Sequence, residues 1–129
     1  MVSSRSLRRG RPDPGIRNDI PEEVSADLEQ IGGLEELCSR LPSQEDLESL
    51  CRIHHALSDP IRAKIVHLLF VQPLCVCVIK QCIRIADSKL SYHLTILKAS
   101  GLIEGRQEKT WIIYRLTDLG KVIAGQIAL

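Results

Sequence analysis

Five cysteines stand at positions 38, 51, 75, 77 and 82 of a chain of 129 residues. The densest cluster is Leu74-Cys75-Val76-Cys77-Val78. A thiolate is the form of cysteine that binds soft ions and attacks oxidants. Two thiolates one residue apart at the start of a helix gain from the dipole there, which favours the charged form. The odd count, in a chain that opens without an apolar export segment, argues against a disulfide framework. Three fates remain for such thiols: metal binding, redox chemistry, or plain packing, since free cysteine is a favoured core residue. A bare Cys-x-Cys does not choose among them, so its place in the fold must.

The histidines are weaker candidates. His93 lies beside Leu94 near the buried face of a helix and is expected to be packed and hydrogen-bonded. His54 and His55 are adjacent, so on a helix they point about 100° apart and do not easily share one ion. With His67 they read as structural or surface residues.

These side chains need elements to hold them. Ser43 followed by Asp46 resembles a capping box, and Leu47, Leu50, Cys51, His54 and Leu57 then follow at helical spacing. Ser58-Asp59-Pro60 stops that helix and starts another, whose expected stripe is Ile61, Ile65, Leu68 and Leu69. A third, short helix is expected from about Leu74 to Ile85. After a tight connection at Ala86-Asp87-Ser88, a fourth spans roughly Ser88 to Ala99 with Leu90, Leu94 and Leu97 inward. Gly101 suits the left-handed residue that closes a helix. Two β-rich runs, 102–106 and 110–116, flank the polar turn Gln107-Glu108-Lys109 and read as a hairpin. Thr117 can cap a last helix, Asp118 to Leu129, with Leu119, Val122, Ile123 and Ile127 apolar. The fold class is therefore mainly α with a small β-hairpin wing (α+β). The element order is that of a winged helix-turn-helix, whose helix after the tight turn enters the DNA major groove.

Upstream, residues 1–18 carry Arg, Pro, Gly and Ser and almost nothing apolar, so a disordered basic arm is expected. Residues 19–42 form an acidic extension with weak helical periodicity (Val24, Leu28, Ile31, Leu34, Leu37, Leu41), broken at Gly32-Gly33. Residues 43–129 are the expected DNA-binding domain. The net charge of +1 conceals three blocks: +4 over residues 1–18, −9 over 19–50 and +6 over 51–129. A basic module suits a polyanionic partner. Apolar residues make up 44% and aromatics 3%, so the core must be aliphatic. The longest apolar run, Ile65 to Val71, falls far short of the ~20 residues of a membrane span. No membrane role and a cytoplasmic home are expected.

A DNA-reading helix needs an apolar back and a face of donors and acceptors for phosphates and base edges. Helix 88–99 offers Ser88, Ser91 and Thr95 as short hydroxyls, Lys89 and Lys98 as charges, and Tyr92 for a base edge or phosphate. Arg106 and Lys109 on the hairpin would reach the flanking backbone or minor groove. Nothing points to an enzyme: there is no Cys-x-x-Cys pair, no Gly-rich phosphate loop and no evident acid/base pair.

Ala56-Leu57-Ser58-Asp59-Pro60-Ile61-Arg62, Leu74-Cys75-Val76-Cys77, and Ser88-Lys89-Leu90-Ser91-Tyr92-His93-Leu94 with Gly101-Leu102-Ile103 resemble the ArsR/SmtB family of metal-sensing repressors. The similarity runs from about Leu47 to the end. The resemblance implies a homodimer joined through the first and last helices of the domain. It also implies double-stranded operator DNA as partner, and release of that DNA when a soft ion binds. It carries Cys75 and Cys77 over as metal ligands and Ser88, Lys89, Ser91, Tyr92 and Thr95 as DNA-facing positions. No obligatory cofactor is implied, only a regulatory ion. Three sulfurs suit As(III) or Sb(III), which are favoured here; four ligands would suit Cd(II), Pb(II) or Zn(II).

The departures are specific. Arsenic-type members often place a third Cys three residues after the second, where this chain has Lys80. Cys82 lies about 140° further round the helix than Cys77 and reads as core rather than ligand. Related sensors supply a thiolate from nearer the N-terminus, sometimes from the partner chain; Cys38 is preferred as third ligand, with Cys51 and Cys82 as alternatives. The same fold could instead sense thiol oxidation, or bind DNA with cysteines that only pack.

Overall fold

Local chemistry sets most element boundaries. The computed structural model describes residues 19–127, so the expectation of a disordered arm over 1–18 lies outside the described residues. Helices α1 (Glu22–Ile31) and α2 (Leu34–Ser39) are split by Gly32 and Gly33, both at positive φ. In α3 (Gln44–Ala56) the Ser43 hydroxyl accepts a hydrogen bond from the Asp46 amide at 3.1 Å, with Glu45 and Asp46 at the positive end of the dipole. In α4 (Pro60–Val71) the Asp59 carboxylate accepts from the Ile61 amide at 2.8 Å, and Pro60 opens the first turn where its missing N–H costs nothing.

After α4 come β1 (Leu74–Cys75), α5 (Val76–Cys82) and α6 (Asp87–Ala99). Gly101, at φ 83°, closes α6: its amide bonds to the Lys98 carbonyl and the Leu102 amide to the Leu97 carbonyl. Those two bonds satisfy carbonyls that the helix end would leave orphaned. Then follow β2 (Ile103–Glu108), β3 (Trp111–Leu116) and α7 (Asp118–Ile127). The Thr117 hydroxyl caps α7 by accepting from the Gly120 amide at 3.0 Å. Gly120 is sterically required: a Cβ there would collide with the Leu102 carbonyl oxygen. The sheet is antiparallel in the order β1-β3-β2, and the turn at Lys109-Thr110 holds Lys109 at φ 58°.

The fold divides into two compact units, which meet in sequence between Leu47 and Glu48. In the first, neither α1 nor α2 has a buried residue. The second holds an aliphatic core in which Ile65, Val66, Ile79, Leu90, Leu97 and Leu102 are fully buried. Among the described residues no helix is long and apolar enough to cross a membrane.

Three sequence expectations are corrected. Leu74 and Cys75 do not open the third helix; they pair with Tyr114 and Ile113 of β3, and the helix starts at Val76. The hairpin strands reach Glu108 and Trp111, so the turn is tighter than Gln107-Glu108-Lys109. In α3 the core takes Ile53 and Ala56, while Leu50, Cys51 and His54 are exposed. That helix carries two apolar stripes, and the periodicity alone could not say which turns inward.

Candidate nucleic-acid interface and thiol pair

Helix α6 is mounted from behind. Leu90, His93, Leu94 and Leu97 are buried, at the i, i+3, i+4, i+7 spacing of one helix face. The opposite face presents Ser88, Lys89, Ser91, Tyr92, Thr95 and Lys98, all exposed. The Thr95 hydroxyl donates to the Ser91 carbonyl at 2.9 Å, which leaves its lone pairs and methyl on the surface. The Tyr92 ring stands edge-on to His93 with centroids 5.3 Å apart. The Lys98 ammonium sits over the Tyr114 ring, 5.8 Å from its centroid, an attraction between cation and π face. Arg106 and Lys109 are exposed on the hairpin, and Gln107 steadies its tip by donating to the Lys109 carbonyl at 2.9 Å.

His93 is packed and hydrogen-bonded, as its setting predicted. Its partner was not foreseen. Arg62, 5% exposed, lies 3.0 Å from His93 Nδ1 through Nη1. A guanidinium only donates, so Nδ1 accepts and the proton of the neutral ring sits on Nε2. Arg62 also donates through Nε to the Ala56 carbonyl at 2.7 Å and through Nη2 to the His55 carbonyl at 3.2 Å. The signal existed: Arg62, Ile65, Val66 and Leu69 are all buried at i, i+3, i+4, i+7, so the arginine belongs to the inward stripe of α4. Nearby, burial pushes the Asp59 carboxyl up. The amides of Ile61 and Arg62 and the charge of Arg62 outweigh that and hold it below its ordinary value.

The thiol pair lies where β1 turns into α5. Cys75 is the last residue of β1, Cys77 lies in the first turn of α5, and their Cα atoms are 5.4 Å apart. The two sulfurs are joined in a disulfide. This corrects the expectation of two free thiolates and no disulfide. The change of backbone direction between strand and helix brings the two Cβ atoms together, within the Cα range that a disulfide spans. Cys38, Cys51 and Cys82 are free and exposed. Cys82 is therefore not core: Ile79 and Ile83 take the inward positions of that segment. Cys51 likewise faces out, lining an apolar groove with Ile96 and Ala99. Among the described residues no three His, Cys, Asp or Glu side chains come together to hold an ion.

A cleft of about 250 Å³ separates this region from α6, with Val76 and Lys80 on one wall and Leu90, Ser91 and Leu94 on the other. Lys80, at the position where a third thiol was considered, bridges to Asp87 in the first turn of α6 at 2.7 Å. The thiol pair thus neighbours the helix it was expected to influence.

The profile described as bacterial regulatory protein, arsR family, matches residues 59–104. The HTH-type transcriptional repressor SmtB of Mycobacterium tuberculosis is 30% identical over 114 residues, covering 81% of this chain and 83% of that one. The putative arsenical resistance operon repressor ArsR of Halobacterium salinarum is 28% identical over 102 residues, covering 70% and 79%. Among solved structures, the homodimeric winged helix-turn-helix DNA-binding domain of a possible ArsR-family regulator from Mycobacterium bovis superposes with a TM-score of 0.61 at 25% identity, covering 68% of this chain and 85% of that one. HlyU from Vibrio cholerae gives a TM-score of 0.61 at 22% identity, covering 66% and 94%.

Proposed function

We propose a function on the premise that this chain belongs to the ArsR/SmtB family of winged helix-turn-helix transcriptional regulators. It is a repressor that binds double-stranded operator DNA as a homodimer, not an enzyme. Residues 43–129 form the DNA-binding domain. The observation that carries this reading is α6 itself: a buried back of Leu90, His93, Leu94 and Leu97 behind an exposed face of hydroxyls, a phenol and two lysines. Ser88, Lys89, Ser91, Tyr92, Thr95 and Lys98 face the major groove. Arg106 and Lys109 contact the flanking backbone or the minor groove. The exposed stripe of α3 (Leu50, Cys51, His54) and the exposed Leu119 and Val122 of α7 supply the apolar surface of the dimer contact.

The grip is set by the state of Cys75 and Cys77. These two would give a thiophilic ion two soft donors, once reduced. As(III) or Sb(III) needs one more, for which Cys38 is the proposed source and Cys51 or Cys82 the alternatives; Cd(II), Pb(II) or Zn(II) needs two more. The relative named for arsenical resistance favours an ion as the signal. A second reading has its own support in the joined sulfurs: the pair is a thiol switch. In that case a peroxide takes two protons and two electrons from the two thiols and leaves as two waters, and the S–S bond forms. Either event acts where α5 borders α6, and a coupling of a few kcal/mol empties the operator.

The test is release of a fluorescent duplex, selected by the reduced wild-type protein from a random-sequence library. Arsenite, cadmium, zinc and peroxide are each titrated in. Release by arsenite that disappears in Cys75→Ser/Cys77→Ser supports the first reading. Release by peroxide alone supports the second. A double variant that releases as readily as wild type removes the thiol pair from the mechanism.

A further inference from the structure

We infer that Arg62 is a positioning residue that fixes the angle of α6 against α3, so that both reading helices of a dimer meet their half-sites together. This rests on the reading of α3 as a dimer helix and α6 as the reading helix. Three observations carry it.

First, the guanidinium touches three elements at once. It grows from α4, donates twice to the last carbonyls of α3, at Ala56 and His55, and reaches His93 in the middle of α6. Second, among the described residues this buried group makes its hydrogen bonds to two backbone carbonyls and one imidazole nitrogen, and to no carboxylate. The C-terminal end of α3 offers partial negative charge and carbonyl acceptors, which add to the attraction of the nearby Asp59 carboxylate. Third, the geometry is directional. A planar guanidinium that bonds through Nε, Nη1 and Nη2 to different elements constrains their relative orientation, whereas an ammonium at the same place would hold a distance and leave the angle free.

Arg62 touches no surface offered to DNA. Its effect must therefore appear as cooperation between two half-sites rather than as lost contact with one. The measurement uses two duplexes taken from the library selected by reduced wild-type protein: the full palindrome and a single half-site. Lengthening and shortening the palindrome spacer by one base pair gives two more. Arg62→Lys is expected to lower affinity for the palindrome at least tenfold, and for the half-site less than threefold. It should also flatten the preference for the native spacer. His93→Asn, which offers a carbonyl oxygen near the place of Nδ1, should retain the palindrome preference to within threefold. His93→Leu, which offers none, should lose it.

If Arg62→Lys fails to fold, the two His93 variants still decide. In wild type, ¹⁵N spectra should show His93 Nδ1 unprotonated and Nε2 protonated in the neutral ring. Equal losses on both duplexes would make Arg62 a plain stabiliser of the fold and overturn the inference. So would a protonated Nδ1. A wild-type protein that retains no palindrome overturns the underlying DNA reading instead, which a normal wild-type preference combined with an indifferent Arg62→Lys would leave standing.

Discussion

Two contacts hold α6 from opposite sides, and they differ in kind. Behind it, Arg62 and His93 are each 5% exposed and bonded in a closed set. In front, Lys80 and Asp87 form an ion pair whose side chains are 42% and 79% exposed. Water competes for the second pair and salt screens it, so its strength is small and adjustable. Water does not reach the first, and an opened bond there strands a polar group. The difference separates a mount from a control. In the proposed reading the buried joint sets the face that meets DNA, while the exposed pair lies one helical turn from Cys77, where a weak contact can be traded without unfolding anything.

The sharpest way to break this contrast is Arg62→Ala. It strands the His93 nitrogen and the Ala56 carbonyl, the His55 carbonyl keeping its bonds from Ser58, and is expected to cost about 3 kcal/mol in urea denaturation, since each charged bond is worth roughly 1.5–3 kcal/mol and partial rehydration recovers some. A cost no larger than that of a surface substitution would erase the distinction. Lys80→Met should instead shift stability by under about 0.5 kcal/mol. Its effect belongs in the effector titration, as a several-fold change in the concentration that releases half the duplex. Lys89→Ala should leave both contacts alone and lower the salt dependence of DNA affinity by about one unit of log–log slope, as loss of one phosphate contact requires.

The smallest effect concerns Asp59, whose folded carboxyl lies below its ordinary 3.8. A depressed carboxyl stabilises the fold above that value, and the contribution is lost as pH falls through the folded one. Asp59→Asn keeps the cap oxygen and removes the charge. Its denaturation midpoint should therefore fall less steeply than that of wild type as the solution is acidified below about pH 4.

Short-range chemistry was legible in the sequence. Ser43, Asp59-Pro60, Gly101 and Thr117 mark helix ends because capping acts within four residues, and each boundary stands in the structure. Helix α6 was legible for the same reason, since its buried and exposed faces follow from one period. What escaped was long-range. Strand β1 is two residues long and exists only because Tyr114 and Ile113 come back to pair with it. The partner of Arg62 lies 31 residues away. The cysteines divided along this line too. Cys75 and Cys77 were found by adjacency, but the fates of Cys51 and Cys82 depended on which helix face the core claimed.

Strand β3 carries one more consequence. Ile113 has Cys75 across one edge and Arg106 across the other. The hairpin finger and the sulfur-bearing segment are thus neighbours of a single backbone ribbon, laced to it from left and right. On the proposed function, a tug on the first thread of that ribbon would reach the fingertip as well as α6, so an effector at the sulfurs would loosen two handholds on the duplex with one pull.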